Sequence, residues 1–251
     1  MELTLTVLGT AAPFPLPDNP CSGYLVQCGE ASLWVDAGTG TLMELQRHVS
    51  LENLTALWIS HVHGDHFADV AALYYAYAFG DVSRKTKLPV IGPIGWAQRV
   101  SAFVTNDVAH DMSTIFQVLE HDVDEMANVV QMRLRGQLVA HNAPSYALRV
   151  DASGRSLVYS GDTGLCPQLT EMAHGADLLL CEVGCRDQQD ARRHVHCTPE
   201  DAGQMATDAG VAQLMLTHLA PGLDGEEALH RAAAIYDGPI TLAMAGLTIN
   251  I

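Results

Sequence analysis

Basic residues are scarce in this 251-residue chain: 13 lysines and arginines stand against 29 aspartates and glutamates, a formal charge of −16. Such a field repels phosphate polymers, and the nearest offsets are the short groups Arg84-Lys85-Thr86-Lys87 and Arg192-Arg193. Broad nucleic-acid binding is therefore disfavoured. No apolar run approaches the ~20 residues that a membrane span needs, and Met1-Glu2-Leu3-Thr4-Leu5-Thr6-Val7 alternates like a strand without a basic leader. The expectation is a cytoplasmic protein with no membrane contact. The six cysteines form no CxxC pair, so all of them, including Cys181, Cys185 and Cys197, read as reduced packing residues. No GxSxG elbow is present, which speaks against a serine nucleophile. No Pro-, Gly- or Ser-rich linker, internal repeat or low-complexity segment divides the chain, so residues 1–251 are expected to form one domain.

What is present is a globular composition, 48% hydrophobic and 17% charged. Strand-like runs recur at 2–8, 23–28, 32–36, 54–60, 88–91, 128–135, 145–150, 155–160, 177–182, 212–217 and 239–242. Helical spacing is expected over 39–48, 66–79, 95–120, 164–174 and 224–235. A further helix is marked by Thr198-Pro199-Glu200-Asp201, with a threonine cap, proline at the first helical position and an acid three residues after the cap. This order predicts a mixed α and β class with layered sheets.

The chemistry concentrates in His61-Val62-His63-Gly64-Asp65-His66, which follows the apolar run Leu57-Trp58-Ile59-Ser60. Imidazoles and carboxylates suit borderline-soft divalent metals. In an extended backbone His61 and His63 share a face, while Asp65 and His66 lie past the Gly64 turn and can serve a second ion. Polar residues at the ends of later apolar runs repeat the theme: His141, Asp162, His196 and His218. Singly each has a bland reading as a boundary residue or turn; together with the hexad they form a candidate ligand set. His48, His110, His121, His174 and His230 lack this setting and read as surface residues. His194 is two residues from His196, but His196 directly precedes the capped helix and is preferred.

His-x-His-x-Asp-His, a lone His, Ser160-Gly161-Asp162-Thr163 and Leu216-Thr217-His218 resemble the ordered motifs of the metallo-β-lactamase superfamily. The resemblance implies an α+β fold, an αββα sandwich with metals at one edge of two packed sheets. Glu182, His196 and the opening Gly9-Thr10-Ala11-Ala12-Pro13 look most like the ribonuclease Z and phosphodiesterase branch. Carried over, His61, His63 and His141 would hold one zinc, Asp65, His66 and His218 the other, and Asp162 would bridge; manganese or iron are alternatives to zinc. Asp65 would also orient the nucleophile, and His196, positioned by Glu182, would donate a hydrogen bond or proton to the phosphate. Two such ions lower the pKa of a shared water and supply hydroxide near neutrality.

Ribonuclease Z carries a long tRNA-gripping arm between the lone-His and Ser-Gly-Asp-Thr motifs, whereas His141 and Asp162 are 21 positions apart here. That departure, with the charge, favours a small phosphodiester such as a cyclic nucleotide over tRNA 3′ processing. Thioester or β-lactam hydrolysis remains a rival because the hexad is shared with those enzymes, and a non-enzymatic metal-binding domain is disfavoured by the intact ligand set. Dimers are common in the branch, which allows a homodimer. Tyr74, Tyr75, Tyr77 and Phe79 read as packing more than as a base-stacking wall, and Arg84, Lys85 and Lys87 as solvated charge.

Overall fold

Short helices separate the strands from Ala31 to Thr105 and from Pro167 to Leu242, while elsewhere strand succeeds strand in the element order, and this pattern sets the architecture of the computed structural model. Residues 1–105, 111–121 and 126–251 are described. In order, the elements are β1 (Thr4–Gly9), β2 (Gly23–Cys28), β3 (Ala31–Val35), α1 (Thr41–Leu45), β4 (Ala56–Trp58), α2 (Gly64–Phe67), α3 (Asp69–Phe79), β5 (Leu88–Pro93), α4 (Trp96–Thr105) and β6 (Phe116–His121). Next come β7 (Met126–Val129), β8 (Met132–Leu138), β9 (Tyr146–Ala152), β10 (Arg155–Tyr159), α5 (Pro167–Ala173), β11 (Leu178–Val183), α6 (Pro199–Ala209), β12 (Leu214–Leu219), α7 (Gly225–Ala233), β13 (Ile240–Leu242) and β14 (Thr248–Asn250).

Among the described residues the strands form two seven-stranded sheets, ordered β14-β1-β2-β3-β4-β5-β6 and β13-β12-β11-β10-β9-β8-β7. Their inner faces meet in one apolar layer, where Leu5, Val26, Leu33 and Trp58 of the first sheet join Leu134, Leu148, Leu157 and Leu180 of the second. The outer faces are covered by helices: α1, α3 and α4 pack on Trp34, Leu57 and Val90, and α5, α6 and α7 on Val158, Leu179 and Leu216. The expected αββα sandwich is the fold observed. β11 is buried along its whole length because Leu178 and Leu180 face the central layer while Leu179 and Cys181 face the helices. No helix of the described residues is long and apolar enough to cross a membrane.

The capped helix forms as its residues predict: the Thr198 hydroxyl accepts from the Asp201 backbone and the Asp201 carboxylate accepts from the Thr198 N–H, closing a capping box with Pro199 inside it. Several boundaries differ. The helix expected over 95–120 ends at Thr105; 106–110, with His110, lie outside the described residues, and 116–121 is β6, drawn into parallel pairing with β5. Its Phe116-Gln117-Val118 alternation has the strand period. The single run 128–135 is a hairpin of β7 and β8 that turns at Val130, whose φ of 54° is unexpected for a β-branched residue. The run 54–60 holds only three ladder residues, and β14 was not anticipated.

Candidate metal centre

All the strand ends singled out in the sequence converge at one edge of the sandwich. Beyond β4 the backbone stays extended through His63 (φ −74°, ψ 149°) and turns helical at Gly64, so the hexad divides into an extended half and the first turn of α2. His141 follows β8, Asp162 follows β10, Glu182 lies in β11 and His218 in β12. Gly161 (φ 57°) makes the turn that aims Asp162; a Cβ there would meet the Tyr146 carbonyl at 3.0 Å, so both space and backbone angle require glycine.

The donors fall into overlapping groups. His61, His63, His141 and Asp162 form one, Asp65, His66 and His218 another, and Asp162, His196 and His218 a third that shares a residue with each. In the first, His63 Nδ1 lies 3.1 Å from His61 Nε2 and 3.2 Å from His141 Nε2. Their tautomers follow from the outer bonds. His141 Nδ1 donates to the Val195 carbonyl at 2.9 Å, leaving Nε2 a lone pair. The Ser60 hydroxyl donates to Asp36 at 2.7 Å and so accepts from His61 Nδ1 at 3.0 Å, freeing His61 Nε2 in the same way. Burial pushes His61, His63 and His141 below the ordinary imidazole value, which keeps these lone pairs available.

In the second group His218 Nε2 stands 3.3 Å from Asp65 Oδ2 and His66 Nε2 3.8 Å from the same oxygen. Asp162 joins the two groups: Oδ2 lies 3.6 Å from His61 Nε2, and Oδ1 lies 3.2 Å from His66 and 3.5 Å from His218. Burial opposes charge on His66 and His218, yet the Asp162 carboxylate, joined by Asp36 at His66 and by Asp65 at His218, raises both; burial likewise opposes ionisation of Asp162, but His218, His66 and His61 together hold it well below the carboxylate range. In the metal-free chain, protons thus neutralise a carboxylate cluster that a cation would otherwise serve.

These residues fit divalent metal. Donors ~2.0–2.2 Å from one ion at tetrahedral angles stand ~3.3–3.6 Å from one another, close to the separations above. His66 Nε2 and Asp162 Oδ1 are buried and make no hydrogen bond, although they face each other. Buried polar atoms without a hydrogen bond so deep in the protein are costly unless something binds them.

Asp36, at the end of β3, escaped the sequence reading. Fully buried, it accepts from His66 Nδ1, the Ser60 hydroxyl and the Tyr159 hydroxyl, each at 2.7 Å, and from the Ser60 N–H at 2.7 Å. It therefore fixes the His66 tautomer with Nε2 toward Asp162 and orients His61 through Ser60. The signal was available: Leu33-Trp34-Val35 is another apolar run ending in a carboxylate. Asp36 and His218 both adopt left-handed backbone, with φ of 57° and 51°.

Glu182 is buried and accepts from the Thr163 N–H at 2.9 Å and from His196 Nδ1 at 2.8 Å. Burial disfavours the His196 cation, but the hydrogen bond and charge of Glu182 prevail and push it up to about 9. His196 Nδ1 lies 3.9 Å from Asp162 Oδ2, so the dyad borders the ligand cluster. His194 is exposed and stays outside it. Among the other histidines, His48 pairs with Glu44 and His174 Nδ1 meets the Ala209 carbonyl. Tyr74 packs in the core while Tyr75 and Phe79 are exposed, and Arg84 donates to the Leu51 carbonyl and covers the Tyr77 ring, which ties it to local structure.

Residues 32–219 match the model of the beta-lactamase superfamily domain. The uncharacterized protein ML1173 of Mycobacterium leprae is 37% identical over 256 residues, spanning 100% of this chain and 89% of its own. Ribonuclease Z of Mycobacterium bovis is 30% identical, spanning 92% and 91%. The crystal structure of the metallo-beta-lactamase fold protein YhfI from Bacillus subtilis superimposes with a TM-score of 0.87 at 27% identity, covering 100% of both chains.

Proposed function

The chain belongs to the metallo-β-lactamase superfamily, in its ribonuclease Z-like branch, and is a metal-dependent hydrolase; on that premise we propose that it cleaves small phosphodiesters with two zinc ions. The observation that carries the reading is Asp162, whose two oxygens each face a different group of imidazoles. His61, His63 and His141 would hold one ion and Asp65, His66 and His218 the other. When bound, such a pair supplies electrophilic charge to the phosphoryl oxygens and an activated water at neutral pH.

The remaining work falls to the chain's own side chains. Asp65, at the rim of the second group, would orient the attacking water through its free oxygen. Glu182 holds the His196 proton on Nδ1, and in the metal-free chain its charge raises the ring to about 9; a ring protonated on Nε2 as well would give that proton or a hydrogen bond to the phosphoryl oxygen or the departing alkoxide. Asp36 and Ser60 keep His66 and His61 in their ligating tautomers.

A second reading, tRNA 3′ processing, is favoured by the 30% identity to a ribonuclease Z. Against it, the stretch between His141 and Asp162 is taken up by the β9–β10 hairpin, leaving no room for an arm. The deciding experiment compares bis(p-nitrophenyl) phosphate, 2′,3′- and 3′,5′-cyclic nucleotides and precursor tRNA as substrates of zinc-loaded protein. Cleavage of the small diesters with about two zinc ions per chain is expected. Cleavage of a thioester or β-lactam with no phosphodiester turnover would overturn the proposal.

A further inference from the structure

The basic pair Arg192-Arg193 lies in the loop that joins the two members of the Glu182–His196 dyad, and carboxylates of the protein engage both guanidinium groups. Arg193 meets Asp201, inside the capping box of α6, at 3.2 Å, and Arg192 meets Asp190 at 2.8 Å. The second pair goes beyond a surface contact. Asp190 Oδ1 accepts from the Arg192 N–H at 2.9 Å and from its Nε at 3.1 Å, while Oδ2 accepts from Nη2 at 2.8 Å. One carboxylate thus holds the backbone and, in bidentate fashion, the side chain of the same arginine. From Arg186 to His194 every residue is exposed except Asp190, whose side chain is 16% exposed. The Arg192 side chain and N–H keep its carboxyl below the usual range against burial.

This hold bears on the site through the main chain. The Arg192 carbonyl accepts from the Val195 N–H at 2.8 Å and from the His196 N–H at 2.9 Å, so the turn that carries His196 is pinned to the residue that Asp190 grips. The Val195 carbonyl in turn accepts from His141 Nδ1 at 2.9 Å. The Cys185 N–H closes the loop by donating to the Cys197 carbonyl at 3.0 Å. The loop lies on Gly164, where a Cβ would come within 2.8 Å of the His194 carbonyl and 3.0 Å of that of Arg193. Glu182 orients the His196 ring through Nδ1, whereas the place from which the ring projects is set at Arg192.

We propose that Asp190 is a positioning residue for the reaction: acting through Arg192, it fixes the backbone from which His196 presents Nε2 to the leaving group. The inference rests on the reading of His196 as donor to the departing alkoxide. A displacement of about 1 Å in such a donor is worth on the order of a hundredfold in rate. The loss falls on substrates whose leaving group needs a proton: an alkoxide does, and p-nitrophenolate does not.

The test compares kcat on a 3′,5′-cyclic nucleotide, which expels an alkoxide, with kcat on bis(p-nitrophenyl) phosphate, both at saturating zinc. In Asp190→Ala the first is expected to fall about ten- to a hundredfold and the second about threefold or less. Asp190→Asn keeps an acceptor for the Arg192 N–H and should fall between Asp190→Ala and wild type. Joining Arg192→Ala to Asp190→Ala should slow the enzyme no further than Asp190→Ala alone, since the two side chains form one clasp. Asp187→Asn removes the same charge from the same loop, but its carboxylate accepts from the Gln189 N–H at 2.8 Å, and both rates should stay near those of wild type. Equal losses on the two substrates in both Asp190 variants, or additive losses for Asp190 and Arg192, overturn the proposal. A leaving-group difference in His196→Ala without one in the Asp190 variants defeats the proposal alone. Turnover of neither substrate by wild type, or a His196→Ala protein that slows both equally, defeats the reading of His196, and the proposal falls with it.

Discussion

From one edge to the other, each sheet passes through three antiparallel pairings and then three parallel ones, so β3 occupies in the first sheet the place that β10 occupies in the second. Both strands deliver an aspartate followed two residues later by glycine, Asp36-Ala37-Gly38 and Asp162-Thr163-Gly164. After β3 the aspartate itself takes the left-handed turn and is folded back under His66, Ser60 and Tyr159. After β10 the left-handed turn falls on Gly161, and Asp162 projects one residue further, into the imidazoles. A shift of a single backbone turn thus separates a carboxylate that supports the site from one that completes it.

The largest effect expected is that of Asp162→Ala, which removes an oxygen from both donor groups. Turnover should fall on the order of a thousandfold or more, with metal content measured by atomic emission dropping in parallel. Asp36→Asn tests the supporting role: it should cost about 10–100-fold in metal affinity or activity while leaving a folded protein. Should Asp36→Asn prove the more damaging of the two, the distinction between support and ligand would collapse.

Glu182→Gln probes the acid that the second sheet adds beside this pair. In metal-free protein the His196 ring, followed by NMR, should titrate near about 9 in wild type and move down toward the ordinary value of about 6.5 in the variant. Because the folded value is raised, protonated His196 contributes stability that is full below about 6.5 and is lost as pH rises through about 9. The smallest effect belongs to the opposite end of β11, where burial opposes ionisation of Asp177 but the bonds it accepts from Arg155 at 2.7 Å and from the Ser156 N–H at 2.8 Å, with that of the Ser156 hydroxyl, together hold its carboxyl below the usual range. Arg155→Ala should cost no more than about 1 kcal/mol in denaturant melts. Its contribution is present above the ordinary carboxylate value near about 3.9 and fades as pH falls below it, with no change in turnover.

The candidate ligand positions were legible because the hexad, His141, Asp162 and His218 each follow an apolar run, a pattern that survives without knowing which runs pair. Asp36 follows the same rule but is trailed by Ala37 and Gly38, and so reads as an ordinary turn. β6 was hidden because its apolar residues continue the helical spacing of Trp96 to Thr105, and only pairing with β5 decides between the two. The β7–β8 turn at Val130 carries no turn residue. The correspondence between the sheets has no trace as a sequence repeat, since it lies in pairing order and backbone turns.

Two of the three donor groups draw on both sheets: His61, His63, Asp65 and His66 come from the first, and His141, Asp162 and His218 from the second. Contacts between residues so distant in sequence close late, because the intervening loop entropy must be met first. If the proposed centre takes zinc, its uptake from a chromogenic chelator during refolding is expected to time the docking of one sheet on the other, lagging behind the far-UV signal of the strands and helices themselves.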